Sequence, residues 1–168
     1  MNTTLAIYGP WERISTDFHL YKAFTQYLQQ ARDIKQISKI IYVQTEAEHT
    51  IPTQYVDDVY FTDRTNIFDE CTQNNSKLNF DYNLGFLGAN IHAAHKNSKT
   101  SHIICHRCDV IPRNLLNLIQ IYETLGKEKH FLIDYSLDHN CIIPFYLSDF
   151  FYMGPVLAID LALLQENS

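Results

Sequence analysis

No stretch of polar or charged residues is long enough to act as a linker or a disordered tail, so the 168 residues are expected to form one domain, 1–168. Long apolar runs are missing as well. The longest, Cys141–Tyr146 and Pro155–Leu164, are too short or too interrupted to cross a bilayer as a helix of about 20 residues. Met1-Asn-Thr-Thr runs directly into a strand-like segment, with no basic region, apolar region or small-residue cleavage site of a leader. A cytoplasmic protein is expected. Basic residues are few: 13 Lys and Arg stand against 19 Asp and Glu, for a formal charge of −6, and they are scattered rather than gathered into a stripe. Nucleic acid, which needs a basic footprint to release counterions, is therefore not an expected partner. A phosphate ligand stays open, because helix-start N–H groups and one or two local Arg or Lys can hold it.

Cysteine is sparse too, with 4 in the chain. In a reducing compartment disulfides are not expected. Cys105-His-Arg-Cys108 spells C-x-x-C, the pattern of a redox pair or half a zinc site. That segment reads as a strand, where residues three apart point to opposite faces, and no second C-x-x-C follows; ordinary buried thiols are the simpler reading. The 8 histidines include no helical H-x-x-x-H pair; His92 and His95 are only three apart in an amphipathic segment, and His102, His106 and His139 lie near strand ends. The signatures G-x-S-x-G, G-x-x-x-x-G-K-[ST] and G-x-G-x-x-G are all missing, which argues against hydrolase, P-loop and dinucleotide chemistry.

What is present is an alternation of strand and helix signals. Thr4–Tyr8 is a strand stopped by Gly9-Pro10. Ser15, Thr16 and Asp17 offer N-caps to a helix in which Phe18, Tyr21, Phe24, Leu28 and Ala31 recur near a 3.6 spacing. Lys39–Gln44 reads as a strand covered on both faces, and Val56–Phe61 as another, leaving through Thr62-Asp63-Arg64. Asn83–Lys96 predicts a helix with Leu84, Leu87, Ile91 and His95 on one side, its Gly85 and Gly88 allowing close packing. A strand at His102–His106 follows. Pro112 precedes a helix over Leu115, Leu116, Ile119, Tyr122 and Leu125 that Gly126 closes. His130–Tyr135 and Cys141–Tyr146 read as strands, and Pro155 as the opening of a last helix, Val156–Leu164. The order predicts an α/β domain with a mainly parallel, Rossmann-like sheet flanked by helices.

Ligands of such sheets bind outside the carboxyl ends of the strands, which directs attention to Gly9-Pro10, Gln44–Glu46, Asp63-Arg64 and Arg107–Asp109. Arg107 and Asp109 are two apart and share a face if the strand continues that far. An Arg and a carboxylate there could meet a diphosphate, directly or through a divalent cation; the plainer reading is a surface ion pair of little energetic weight. Asp149, in Leu147-Ser-Asp-Phe-Phe151, sits among aromatics that can raise a carboxyl pKa toward a general base, or it is a turn residue or helix cap.

Three segments in order resemble the WavE family of lipopolysaccharide-synthesis glycosyltransferases: Leu5-Ala-Ile-Tyr-Gly-Pro10; Asn79 through Ile91 leading into His106-Arg-Cys-Asp109; and Pro144-Phe-Tyr-Leu-Ser-Asp-Phe-Phe-Tyr-Met-Gly154. The resemblance spans nearly the whole chain through short motifs. It implies a GT-A-like nucleotide-diphospho-sugar transferase fold, a bacterial lipopolysaccharide or capsule function, a nucleotide-sugar donor and a glycan or lipid-linked glycan acceptor at the inner face of the cytoplasmic membrane. Arg107 and Asp109 match its acidic diphosphate motif, with Asp109 as the ligand for Mn2+ or Mg2+. Gly9, Pro10 and Asn83 join them as donor-binding residues, and Asp149 and Gly154 match the serine-aspartate-aromatic block, Asp149 as catalytic base. The chain departs from the pattern at Tyr82-Asn83, where Arg-Gln is usual, and it is shorter than family members tend to be. A shortened relative acting as a binding module in glycan assembly is the alternative, and a metal or redox protein built on Cys105 and Cys108 a third.

Overall fold

The computed structural model describes residues 2–44, 54–62, 82–126, 129–133 and 151–156, with backbone alone for 82–88 and 132–133. Strand β1 (Thr3–Tyr8) is buried along its whole length. Gly9, at φ +130°, turns the chain out of it into a short helix, α1 (Trp11–Ser15). Helix α2 (Phe18–Arg32) starts where Asp17 caps it, its carboxylate accepting from the N–H groups of His19 at 2.8 Å and Leu20 at 3.0 Å. Its buried stripe is Phe24, Tyr27, Leu28 and Ala31. Phe18, counted in that stripe from the sequence, is instead exposed at the first turn, and Tyr27 takes the inward place.

Strands β2 (Ile37–Gln44) and β3 (Asp58–Phe61) follow, then helix α3 (Tyr82–Asn97), β4 (His102–Arg107) and helix α4 (Leu115–Leu125). Asn114 caps α4 by accepting from the Asn117 N–H at 2.9 Å, and Gly126 leaves it at φ +101°. The described chain ends with β5 (Phe131–Ile133) and β6 (Phe151–Pro155). The expected strand at Cys141–Tyr146, the exit residues Asp63 and Arg64, and the helix beyond Val156 lie outside the described residues.

The six strands lie in the order β3-β2-β1-β4-β6-β5. β1 pairs in parallel with both β2 and β4, and β2 with β3; β6 runs antiparallel to β4 and β5. The expected adjacency of the strands at 4–8, 39–44 and 102–107 is thus what the sheet has, and the α/β, mostly parallel reading holds. Alternation along the strands divides the core into two. Leu5, Ile7, Ile40, Tyr42, Ile104, Phe151 and Met153 pack against α2 and α4. Ala6, Tyr8, Ile41, Val43, Ile103, Cys105 and Tyr152 pack against Ile91 and Ala94 of α3. Each such fully buried aliphatic side chain contributes about 1.5–3 kcal/mol.

One expectation needs correction. Pro155 does not open a helix; it is the last residue of β6, opposite His102. Proline lacks a ladder donor but is tolerated at a strand's end, and the next N–H, that of Val156, bonds the Ser101 carbonyl at 3.1 Å. The run Phe151-Tyr-Met alternates sides, sending Phe151 and Met153 to one core and Tyr152 to the other. Among the described residues no helix is long and apolar enough to cross a membrane.

Candidate functional site

The chain winds outward from β1 through β2 to β3 and then resumes on the other side of β1 with β4. The carboxyl ends of β1 and β4 therefore flank the topological switch point, the place where open α/β sheets leave a crevice. Tyr8 is opposite Arg107 in the register, so Gly9-Pro10 and Cys108-Asp109 leave the sheet side by side. The Cys108 N–H donates to the Tyr8 carbonyl at 2.8 Å, and the Gly9 N–H to the Val43 carbonyl at 3.1 Å. The Tyr42 hydroxyl donates to the Gly9 carbonyl at 3.0 Å from below. A Cβ on Gly9 would lie 2.8 Å from the Cys108 Sγ, so glycine is required there both by φ and by space.

Arg107 ends β4, and a turn, rather than continued pleat, carries Asp109 back to it. The two meet as a fork: Arg107 Nε donates to Asp109 Oδ1 at 3.0 Å and an Nη to Oδ2 at 2.7 Å. A third partner, invisible in the sequence, is Arg13 of α1, whose Nη1 donates to the same Oδ2 at 2.5 Å. Partial burial pushes the Asp109 carboxyl up, but the hydrogen bonds and charge of Arg107, with the charge of Arg13, outweigh it and hold it below the ordinary carboxylate range. No motif announced Arg13; its signal was only its place in the short segment after β1 that forms α1.

Behind this turn lies a buried pair. His106 is fully enclosed, stacked near-parallel on Phe151, with Nδ1 at 2.7 Å from the Arg107 carbonyl and Nε2 at 2.7 Å from the Tyr27 hydroxyl. A carbonyl only accepts, so Nδ1 carries the proton and Nε2 accepts from Tyr27. Burial holds His106 neutral, lowering its pKa to about 4 against weaker opposing effects from nearby backbone and Asp109. Burial likewise pushes the Tyr27 hydroxyl well up.

Of the residues expected at the site, Gly9, Pro10, Arg107 and Asp109 are brought together. Asn83 lies in the first turn of α3, described by backbone alone, and Asp149 lies outside the described residues. Gly154 is not part of the cluster: it pairs with Ile103, toward the opposite end of the sheet, and a Cβ there would meet the Tyr152 hydroxyl at 2.6 Å and His130 Nδ1 at 3.1 Å. Its smallness serves packing. Cys105 and Cys108 are free thiols in different cores, and burial pushes Cys108 up to about 11.

The Mn2+ or Mg2+ implied by the resemblance needs carboxylate oxygens at about 2.0–2.6 Å. Both Asp109 oxygens already accept from guanidinium nitrogens at 2.5–3.0 Å, and two cationic side chains stand where the ion would sit. No group of three or more His, Cys, Asp or Glu suited to a metal occurs among the described residues. The residues present do not fit a divalent ion at Asp109.

The chain matches no protein-family model and no curated protein.

Proposed function

We propose that this protein is a glycosyltransferase of the GT-A type, moving a sugar from a nucleotide-sugar donor to a glycan or lipid-linked glycan precursor of lipopolysaccharide or capsule. The observation that carries the reading is the pairing, at the switch point between β1 and β4, of a tight positive-φ glycine turn with Arg107 and Asp109. A mostly parallel sheet with one reversed strand flanked by helices is compatible with that fold. The resemblance of three ordered segments supplies the substrate class.

In the reaction the acceptor hydroxyl gives its proton to a carboxylate, for which Asp149 is the candidate. The acceptor oxygen bonds the anomeric carbon, and the bond from that carbon to the phosphate oxygen breaks, its electron pair leaving with the nucleoside diphosphate. Preorganised cationic groups that stabilise the departing charge would supply much of the rate. An acceptor on a lipid carrier implies peripheral association with the inner face of the cytoplasmic membrane.

A thermal-shift screen against sugar nucleotides tests the reading. A ligand at 100 times its dissociation constant stabilises by about 2.7 kcal/mol, a clear rise in Tm. The expected result is stabilisation by one nucleotide class, followed by release of the nucleoside diphosphate when acceptor glycan is added. A chain that no sugar nucleotide stabilises is not a donor-binding enzyme. Binding without release identifies the binding module instead.

A further inference from the structure

We infer that His106 is a positioning residue: held by Tyr27 from α2, its buried imidazole sets the turn that carries Arg107 and Asp109. The inference rests on the donor reading above for what that turn meets, while the positioning itself rests on hydrogen bonds within the chain.

The turn after β4 runs from Arg107 to Val110 and is closed by the Val110 N–H, which donates to the Arg107 carbonyl at 3.1 Å. Arg107 and Asp109 are its first and third residues, so their two-point contact spans the turn and keeps its geometry only while the turn does. His106 Nδ1 donates to the same Arg107 carbonyl at 2.7 Å. That carbonyl already has a partner in Val110, so the imidazole is not needed to satisfy it. What the second bond adds is direction: it fixes the peptide plane from which the turn departs.

A leucine would fill the place of His106 with no polar atom to satisfy. The imidazole brings two, and the surrounding elements meet both. Tyr27, on the buried stripe of α2, donates its hydroxyl to Nε2 at 2.7 Å and stands edge-on to the ring at a centre distance of 5.4 Å. Phe151 of β6 stacks on the ring at 6.2 Å, 13° from parallel. Burial keeps the ring neutral, so Nε2 stays an acceptor over the ordinary pH range. Its tautomer and tilt are thus fixed from α2, β4 and β6 before the chain enters the turn. On the other side the Cys108 N–H ties the turn to the Tyr8 carbonyl of β1 at 2.8 Å.

Two variants separate positioning from packing. Tyr27→Phe/His106→Leu replaces both polar partners by apolar groups, which should keep the urea midpoint near that of the wild type while removing the Nδ1 donor. His106→Asn does the reverse. Its amide nitrogen takes the place of Nδ1 at the Arg107 carbonyl, but the Tyr27 hydroxyl loses its acceptor and the midpoint falls. Tyr27→Phe/His106→Met, with an unbranched side chain that fits irregular gaps, is the second apolar pair should the first not fold. The turn is read on the full chain without any ligand, by 15N relaxation of the Cys108, Asp109 and Val110 amides and the Arg107 Nε–H. Amide order parameters of about 0.85 are expected in the wild type and in His106→Asn, and a fall to about 0.6 or below in the apolar pair, with the Arg107 Nε–H following. Any other pattern overturns the inference, including order that tracks stability and equal order in all three proteins.

Calorimetry with nucleoside diphosphates and sugar nucleotides as probes tests the donor reading separately. A probe that binds the wild type should bind the apolar pair about tenfold more weakly, the cost of ordering a loosened side chain on binding, and His106→Asn nearly as well as the wild type. Equal binding by the wild type and the apolar pair overturns the positioning role. If the turn shows the expected pattern but no sugar nucleotide binds the wild type, the positioning stands and the donor reading falls.

Discussion

His106 and Tyr27 show what a single buried pair does for the loop in front of it. The imidazole cannot be protonated without losing either its accepted bond from Tyr27 or its enclosure, so the folded protein keeps it neutral down to about pH 4, against an ordinary value of 6.5. In the unfolded chain it titrates normally. Between pH 6.5 and about 4 the unfolded state thus binds more protons, and stability falls as pH falls, at about 1.4 kcal/mol per pH unit from this residue. His95 behaves alike, its pKa lowered to about 4 by burial first and then by His92 and His130. Urea unfolding across this range should show the combined slope, and His106→Asn should remove about half of it. A slope that the variant leaves intact would mean His106 already titrates in the folded state. Tyr27→Phe leaves the buried Nε2 without its donor and should cost about 1–3 kcal/mol at neutral pH, measured as a fall in the urea midpoint.

At the scale of elements, the β1–α1 turn carries the sharpest constraint. Gly9→Ala forces a side chain into a φ of +130° and places its Cβ 2.8 Å from the Cys108 Sγ. The backbone part alone is worth about 1–3 kcal/mol, and overpacking adds to it. The double variant Gly9→Ala/Cys108→Ala removes the sulfur and should recover the steric part but not the backbone part; a double-mutant cycle on denaturant midpoints reads the difference. Full additivity of the two substitutions would refute the clash. This turn was legible in the sequence because Gly-Pro after an apolar run is a local signal, as were the Asp17 cap and the Gly126 stop. The strand Phe151–Pro155 was not, since proline there suited a helix start equally well, and only pairing with β4 decides it. Arg107 and Asp109 were legible as neighbours in sequence. Arg13, 96 residues from Asp109, was not, because the contact depends on β1 and β4 lying side by side in register.

For the whole molecule, the order of strands dictates where rigidity lies. β1 and β4 are bonded on both edges and covered on both faces, while among the described residues β3 and β5 each have one neighbour. The proposed site uses the ends of the two strands that are held most firmly. β3 is the opposite case: four residues, half-buried, ending in the exposed Phe61, and joined to the sheet, among the described residues, only through β2. Local opening free energies follow such differences, from near zero at frayed edges to the global value in a central core. Native-state hydrogen exchange should therefore find the amides of Leu5–Tyr8 and Ile103–His106 among the slowest, exchanging only by global unfolding and shifting with denaturant accordingly. The amides of Val59–Phe61 should exchange through local opening that denaturant hardly affects. Equal protection of β3 and β1 would mean that the sheet opens as one unit, and that the switch-point strands hold no advantage in rigidity over the edge.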